Sequence, residues 1–148
     1  MDAGDAKTGS LTLPRPPWRN VGAVATGGAI GAPLRCQLGL WFPTPALGFP
    51  LTTLAINVSG SFALAVVLTL TLERWPPTKY VRAFVATGVL GAYTTFSTLS
   101  VDASLLIKDG RVVLAIGDVV LSVTTGMAAA VAGVAMVRLS SRTKGSTP

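Results

Sequence analysis

Asn57 sits near the centre of an apolar run, Leu51 to Leu72, with Thr53, Ser59 and Ser61 around it. Its amide brings two N–H donors and an acceptor into a stretch with almost no other polarity, so it is suited either to gluing helices together or to binding a ligand. A second cluster is Gly88-x-x-Gly91-Ala92-Tyr93-Thr94-Thr95-Phe96-Ser97-Thr98-Leu99-Ser100. Glycine and β-branched threonine together weaken a helix, and a break at this point would free backbone carbonyls as ligands for a hard cation such as sodium. The hydroxyls in the same stretch donate hydrogen bonds, and the positive edge of the Phe96 ring suits an anion. The competing reading is a kinked packing helix whose Ser and Thr bond back to their own carbonyls. Ser122, Thr124, Thr125 and Gly126 form a third polar stripe, with Asp118 one turn earlier. Charged and facing lipid, Asp118 would be costly, so it belongs in a vestibule or interface or carries a proton. Arg35 ends an apolar segment, where it serves as an interfacial anchor or as part of a structural or vestibule group.

Several chemistries are excluded by what the chain lacks. It has no His and one Cys, Cys36, so neither an internal disulfide nor a Cys/His metal site can form, and enzymatic acid–base chemistry has no support. The net charge of +6 is not a nucleic-acid patch, because the basic residues lie at the ends of apolar segments rather than among aromatics.

The elements that must hold these groups are membrane spans. Of 148 residues 50% are hydrophobic and 12% charged, which places the chain in a bilayer. A span needs about 20 apolar residues to cross roughly 30 Å of hydrocarbon. Four segments meet this need, at about 21–42, 51–72, 80–107 and 112–138, and form one all-α domain over 21–138. The turn-forming PTPALGFP, ERWPPTK and KDGR separate them. Residues 1–20 read as a flexible tail with no signal peptide, and 139–148 as a basic C-terminal tail. The third segment is longer than a crossing requires and has the Gly/Thr/Ser cluster at its middle. In the first, Gly27 with Gly31, and Gly28 with Ala32, are spaced for close helix packing.

Four spans put both termini and the loop between spans two and three on one side. That side holds Lys7, Arg15, Arg19, Arg74, Lys79, Arg82, Arg138, Arg142 and Lys144, nine of the twelve basic residues; Arg35, Lys108 and Arg111 are the other three. Cytoplasmic termini and a plasma (inner) membrane location are therefore expected.

GGAIGAPLR at Gly27 to Arg35, TLAINVSGSF at Thr53 to Phe62 and GVLGAYTTFSTLS at Gly88 to Ser100, in this order, resemble the CrcB/Fluc fluoride channel family. The resemblance covers nearly the whole chain outside the tails. It implies a fluoride-selective channel that exports fluoride passively and relieves its toxicity. It also implies two subunits packed antiparallel in a dual-topology dimer, a broken third span, and a structural sodium ion between the subunits that is not transported. On that pattern the carbonyls of Gly91 and Thr94 are the sodium ligands, and Asn57, Phe96 and Ser122 are pore residues. Thr95 and Ser97 are supporting hydroxyls, and Arg35 matches the arginine ending the first motif; from the residues themselves, apart from the pattern, Thr53 and Asp118 are read with Arg35 as a structural or vestibule group. The sequence departs from the pattern at Leu99, where a second pore phenylalanine is expected, at Ala92 for a glycine, at Cys36 for an aromatic, and at Asp118 for a frequent tyrosine. The nine-to-three charge bias favours one orientation, which raises the expectation of pairing with an oppositely oriented homologue rather than a second copy. Two rival functions remain. A small four-span multidrug exporter needs a first-span carboxylate that is missing here, and a non-conducting membrane assembly subunit would use the glycine motifs for packing alone.

Overall fold

The computed structural model describes residues 18–45, 48–73 and 79–142, and every regular element among them is helical. The turn expected at ERWPPTK falls mostly on residues 74–78, outside the described residues, as do 1–17 and 143–148 of the expected tails. Helix α1 is Trp18–Trp41 and α2 is Leu51–Glu73. Residues 79–93 form α3, in which one α-turn (Lys79–Val81) leads into a π-helical stretch (Arg82–Leu90) and a closing α-turn (Gly91–Tyr93). Helix α4 is Phe96–Lys108 and α5 is Val112–Arg142. Helix therefore begins three residues before the expected start of the first span and continues four residues past the expected end of the fourth.

Three stretches are long and apolar enough to cross a membrane, Leu51–Glu73, Arg82–Lys108 and Val112–Ser140. Helix α1 matches them in length with 24 residues, but Arg19, Asn20, Arg35, Gln37 and its glycines make it less apolar. The most apolar stretches of the three are only 22%, 22% and 11% buried within the chain, so most of their side chains face outward, to lipid or to another protein. Trp18 and Trp41 are exposed at opposite ends of α1, the kind of position Trp favours where a bilayer meets water. This is an all-α, multi-pass membrane protein.

Neighbouring passes run in opposite directions, which brings the start of α1, the end of α2, the start of α3 and the end of α5 to one face. There Arg19 lies over the Tyr80 ring, 5.1 Å from its centroid, and Arg138 Nε donates to Glu73 Oε1 at 2.9 Å. Within the bundle α1 packs on α3, α2 on α5, and α4 on α5. Glycine permits the first of these contacts. A Cβ on Gly27 or Gly31 would collide with the carbonyl oxygens of Phe84 and Val89, and one on Gly88 would lie 2.8 Å from the Val24 oxygen. The α1 and α3 backbones touch directly, as small-residue spacing allows in lipid. On α5, Gly133 plays the same part, since its Cβ would come within 2.7 Å of the Phe62 oxygen on α2.

The π-helical stretch is wound one residue per turn wider than an α-helix. At its end the Gly91 N–H donates to Ala86 O, five residues back, and also to Gly88 O. Beyond Tyr93 the chain leaves helical dihedrals for two residues, Thr94 (φ −73°, ψ 152°) and Thr95 (φ −146°, ψ 122°), before α4 begins.

Candidate ion site at the α3–α4 junction

The two extended threonines are held by a side chain from another helix. Asn57 Nδ2 donates to Thr95 O at 2.9 Å, and the Thr95 N–H donates to Asn57 Oδ1 at 2.8 Å. One amide thus occupies both backbone groups of Thr95, replacing the two helical bonds an extended residue gives up. Thr95 is itself buried and caps α4, its Oγ1 accepting from the Thr98 N–H at 3.0 Å. The same hydroxyl is 3.0 Å from Thr98 Oγ1 and 3.1 Å from Ser97 Oγ. Three hydroxyls therefore meet at the first turn of a helix whose terminal N–H groups favour negative charge.

These bonds leave two carbonyls without their usual donors. In a continuous helix Gly91 O would accept from the Thr95 N–H and Thr94 O from the Thr98 N–H. The first of those N–H groups goes to Asn57 and the second to Thr95 Oγ1. The carbonyls of Gly91 and Thr94 are neutral oxygen donors of the kind a hard monovalent cation takes, so the residues present fit a sodium ion.

Gly60 on α2 makes room for the junction. A Cβ there would collide with Thr94 Cγ2 and lie 3.1 Å from Tyr93 Cδ1. Tyr93 is anchored to the same helix, its hydroxyl 3.1 Å from Ser59 Oγ. Sequence reasoning missed Gly60 because it has no small-residue partner four positions away on a helix; its lack of a side chain matters to the Tyr93 and Thr94 side chains that arrive from another element.

The expected pore residues do not share one surface. Phe96 is 79% exposed, and Ser97, Ser100 and Ser104 are exposed beside it along α4. Leu99, three residues on along the same helix, is only 5% exposed and packs inside the subunit. Ser122 is buried on α5, its Oγ 3.5 Å from Asp118 Oδ1.

Nearer the end of the bundle, Thr53 is buried and donates through Oγ1 to Asp102 Oδ2 at 2.7 Å. Asp102 was not singled out from the sequence, although a carboxylate in an apolar segment was a signal of the same kind as Asp118. It lines a cavity of about 370 Å³ with Arg35, Thr52, Thr53, Thr95 and Thr98. This vestibule runs from the Arg35 and Asp102 side chains inward to the capping threonine of α4. A larger cavity of about 730 Å³, bounded by Leu38, Trp41, Phe42, Phe49, Ala55 and Tyr93, is mostly apolar.

Three helical stretches long and apolar enough to cross a membrane, a further helix of similar length packed on them, and an extended Thr94–Thr95 junction clamped by the half-buried Asn57 amide define a class of small helical membrane proteins. The family model described as CrcB-like protein, Camphor Resistance (CrcB), matches residues 22–134, and this chain belongs to that family. Among its relatives is the fluoride-specific ion channel FluC 3 of Streptomyces avermitilis, 50% identical over 117 residues, which are 79% of this chain and 57% of that protein. FluC 1 of Streptomyces coelicolor is 46% identical over 98 residues, 64% of each chain. The FluC of Agrobacterium fabrum is 40% identical over 120 residues, 80% of this chain and 96% of the relative. The chain thus spans under two thirds of the length of the two Streptomyces relatives and nearly all of the Agrobacterium one.

Proposed function

We propose that this chain is one subunit of a fluoride-selective channel that lets fluoride leave the cell passively, driven by membrane potential and concentration gradient. The carrying observation is the Asn57–Thr95 amide pair, which holds the extended junction and gathers neutral donors at the start of α4. Fluoride is small and tightly hydrated, so a selective path replaces its water with closely spaced donors and excludes larger halides by width. Hydroxyls, amides and ring edges do this without a fixed positive charge that would hold the ion. Asn57, Thr95, Ser97, Phe96 and Ser122 are the proposed pore residues, and Arg35, Thr53 and Asp118 the vestibule group. The fluoride-specific relatives, which share up to 50% of aligned residues, support the same reading.

The pore needs a second subunit. Ser97, Ser100 and Ser104 put a strip of small polar residues beside Phe96 on the exposed face of α4, a surface suited to close packing against another protein helix. An antiparallel partner, either the same chain or an oppositely oriented homologue, completes the conduit, and a structural sodium ion between the subunits is held by Gly91 O and Thr94 O. The subunit whose orientation the basic residues favour has both termini in the cytoplasm and lies in the plasma (inner) membrane.

The test is efflux of fluoride against chloride from liposomes, for this chain alone and mixed with a homologue. Fluoride efflux that greatly exceeds chloride efflux, and that is lost in Asn57→Asp and Phe96→Ile, is the expected result. No fluoride efflux in either preparation would turn the assignment to a non-conducting assembly subunit.

A further inference from the structure

The channel reading uses Asp118 only as part of the vestibule group, yet its surroundings are specific. It is 0% exposed on α5. Its Oδ1 receives one long contact, from Ser122 Oγ at 3.5 Å, and its Oδ2 has no hydrogen-bond partner among the described residues. Across the α4–α5 contact it lies within electrostatic reach of Asp102, whose own Oδ2 is occupied by Thr53 Oγ1 at 2.7 Å. Asp102, unlike Asp118, opens onto the 370 Å³ vestibule, with Arg35 on its wall.

Resting on the channel reading, we propose that Asp118 is a proton-binding residue that sets the charge of this vestibule, so that fluoride entry is linked to proton uptake at Asp118. The argument is a charge count. With both carboxyls ionised, Arg35 contributes +1 and Asp102 and Asp118 contribute −1 each, leaving the vestibule and the wall behind it at −1. One proton on Asp118 brings the sum to zero. An anion entering the cavity meets repulsion in the first state and none in the second. The unpartnered Oδ2 is where such a proton sits, and it comes from the water on the vestibule side and returns there. Charge placed in the vestibule acts on Asp118, so its proton responds to whatever occupies the space beside Asp102.

The other groups around Asp118 are few. Helix α2 packs against α5, and the one carboxylate of α2, Glu73, is bound by Arg138 at the opposite end of α5. Helix α4 contributes Asp102, with Lys108 and Asp109 at its far end, and Arg111 precedes α5. Arg35 comes from α1, across the vestibule.

Fluoride efflux from liposomes holding the full chain, followed from mildly acidic to mildly alkaline pH with empty liposomes as the control for HF leak, reads the linkage. Above the titration of Asp118, the wild-type rate falls by about tenfold per pH unit, as its protonated fraction does. Asp118→Asn, which cannot titrate, gives a flat profile, and Asp118→Glu retains the fall. A second readout is independent of flux. In infrared titration the carboxylic C=O band assigned to Asp118 persists to higher pH when fluoride is added, and chloride has no such effect, because linkage is reciprocal. A pH-independent wild type, a fall retained in Asp118→Asn, or a band indifferent to fluoride overturns this proposal while the channel reading stands. Absence of efflux at every pH, alone and with a homologue, removes the channel reading and this proposal with it.

Discussion

The two halves of the Asn57 amide are not interchangeable, because Thr95 presents one donor and one acceptor to it. Asn57→Asp keeps an acceptor for the Thr95 N–H but sets an oxygen against Thr95 O, leaving a buried carbonyl without its donor. A loss of this kind costs about 1–3 kcal/mol. Since each 1.4 kcal/mol is about a factor of ten, fluoride efflux should drop by between about fivefold and about a hundredfold, which liposome efflux will read. Thr95 allows a sharper comparison. Thr95→Ser keeps the cap on α4 and the contacts to Ser97 and Thr98, whereas Thr95→Val keeps the shape and loses all of them. The valine variant should lose about 1 kcal/mol of stability in a denaturation series, and the serine variant much less. Leu99 presents the opposite case. Its side chain is enclosed within the subunit, so Leu99→Phe should overpack the α4 contact by about 1–3 kcal/mol rather than add a ring beside Phe96. That Asn57 is polar at mid-span was plain in the sequence; that it clamps Thr95, 38 positions away, was not, because a hydrogen-bond partner on another helix leaves no local pattern.

Among the elements, the composite third pass depends on glycines that belong to its neighbours. Gly27 and Gly31 let the α1 backbone lie against the Phe84 and Val89 carbonyls, and Gly60 receives the Tyr93–Thr94 corner. Gly60→Ala forces Thr94 aside and should cost about 1–3 kcal/mol. Its expected signature is loss of fluoride efflux with helix content unchanged by circular dichroism, because α2 gains a better helix former while the junction is displaced. Gly27→Ala, in contrast, should loosen α1 from α3 and lower the midpoint of detergent unfolding. The GxxxG spacing made the α1 contact legible in advance. The part played by Gly60 depends on where the Tyr93 and Thr94 side chains fall, and its own sequence neighbourhood is silent on that.

For the molecule as a whole, the question is what covers the exposed face of α4. Phe96, Ser97, Ser100 and Ser104 lie on it, and Phe96→Ile should leave the stability of the subunit within about 0.5 kcal/mol while abolishing the fluoride efflux proposed above, read in liposomes. Replacing sodium by a large organic cation should weaken subunit association, measured by cross-linking in the membrane, since Gly91 O and Thr94 O would lose the ion proposed to bridge them.

Hydropathy and spacing alone determined that this chain is a helical membrane protein, where its helices fall to within a few residues, and that polarity collects at Asn57, at Gly88–Ser100 and at Asp118–Ser122. These properties are local, because a helix in lipid satisfies its own backbone and its apolar length can be counted along the chain. Only the tertiary structure decided that Asn57 takes both backbone groups of Thr95, that Gly60 makes room for Thr94, that Leu99 turns inward while Phe96 turns out, and that Asp102 lines the vestibule while Asp118 is fully enclosed. Each of these joins residues on different helices, and which faces of two helices meet is set by packing, which the order of residues within either helix does not record.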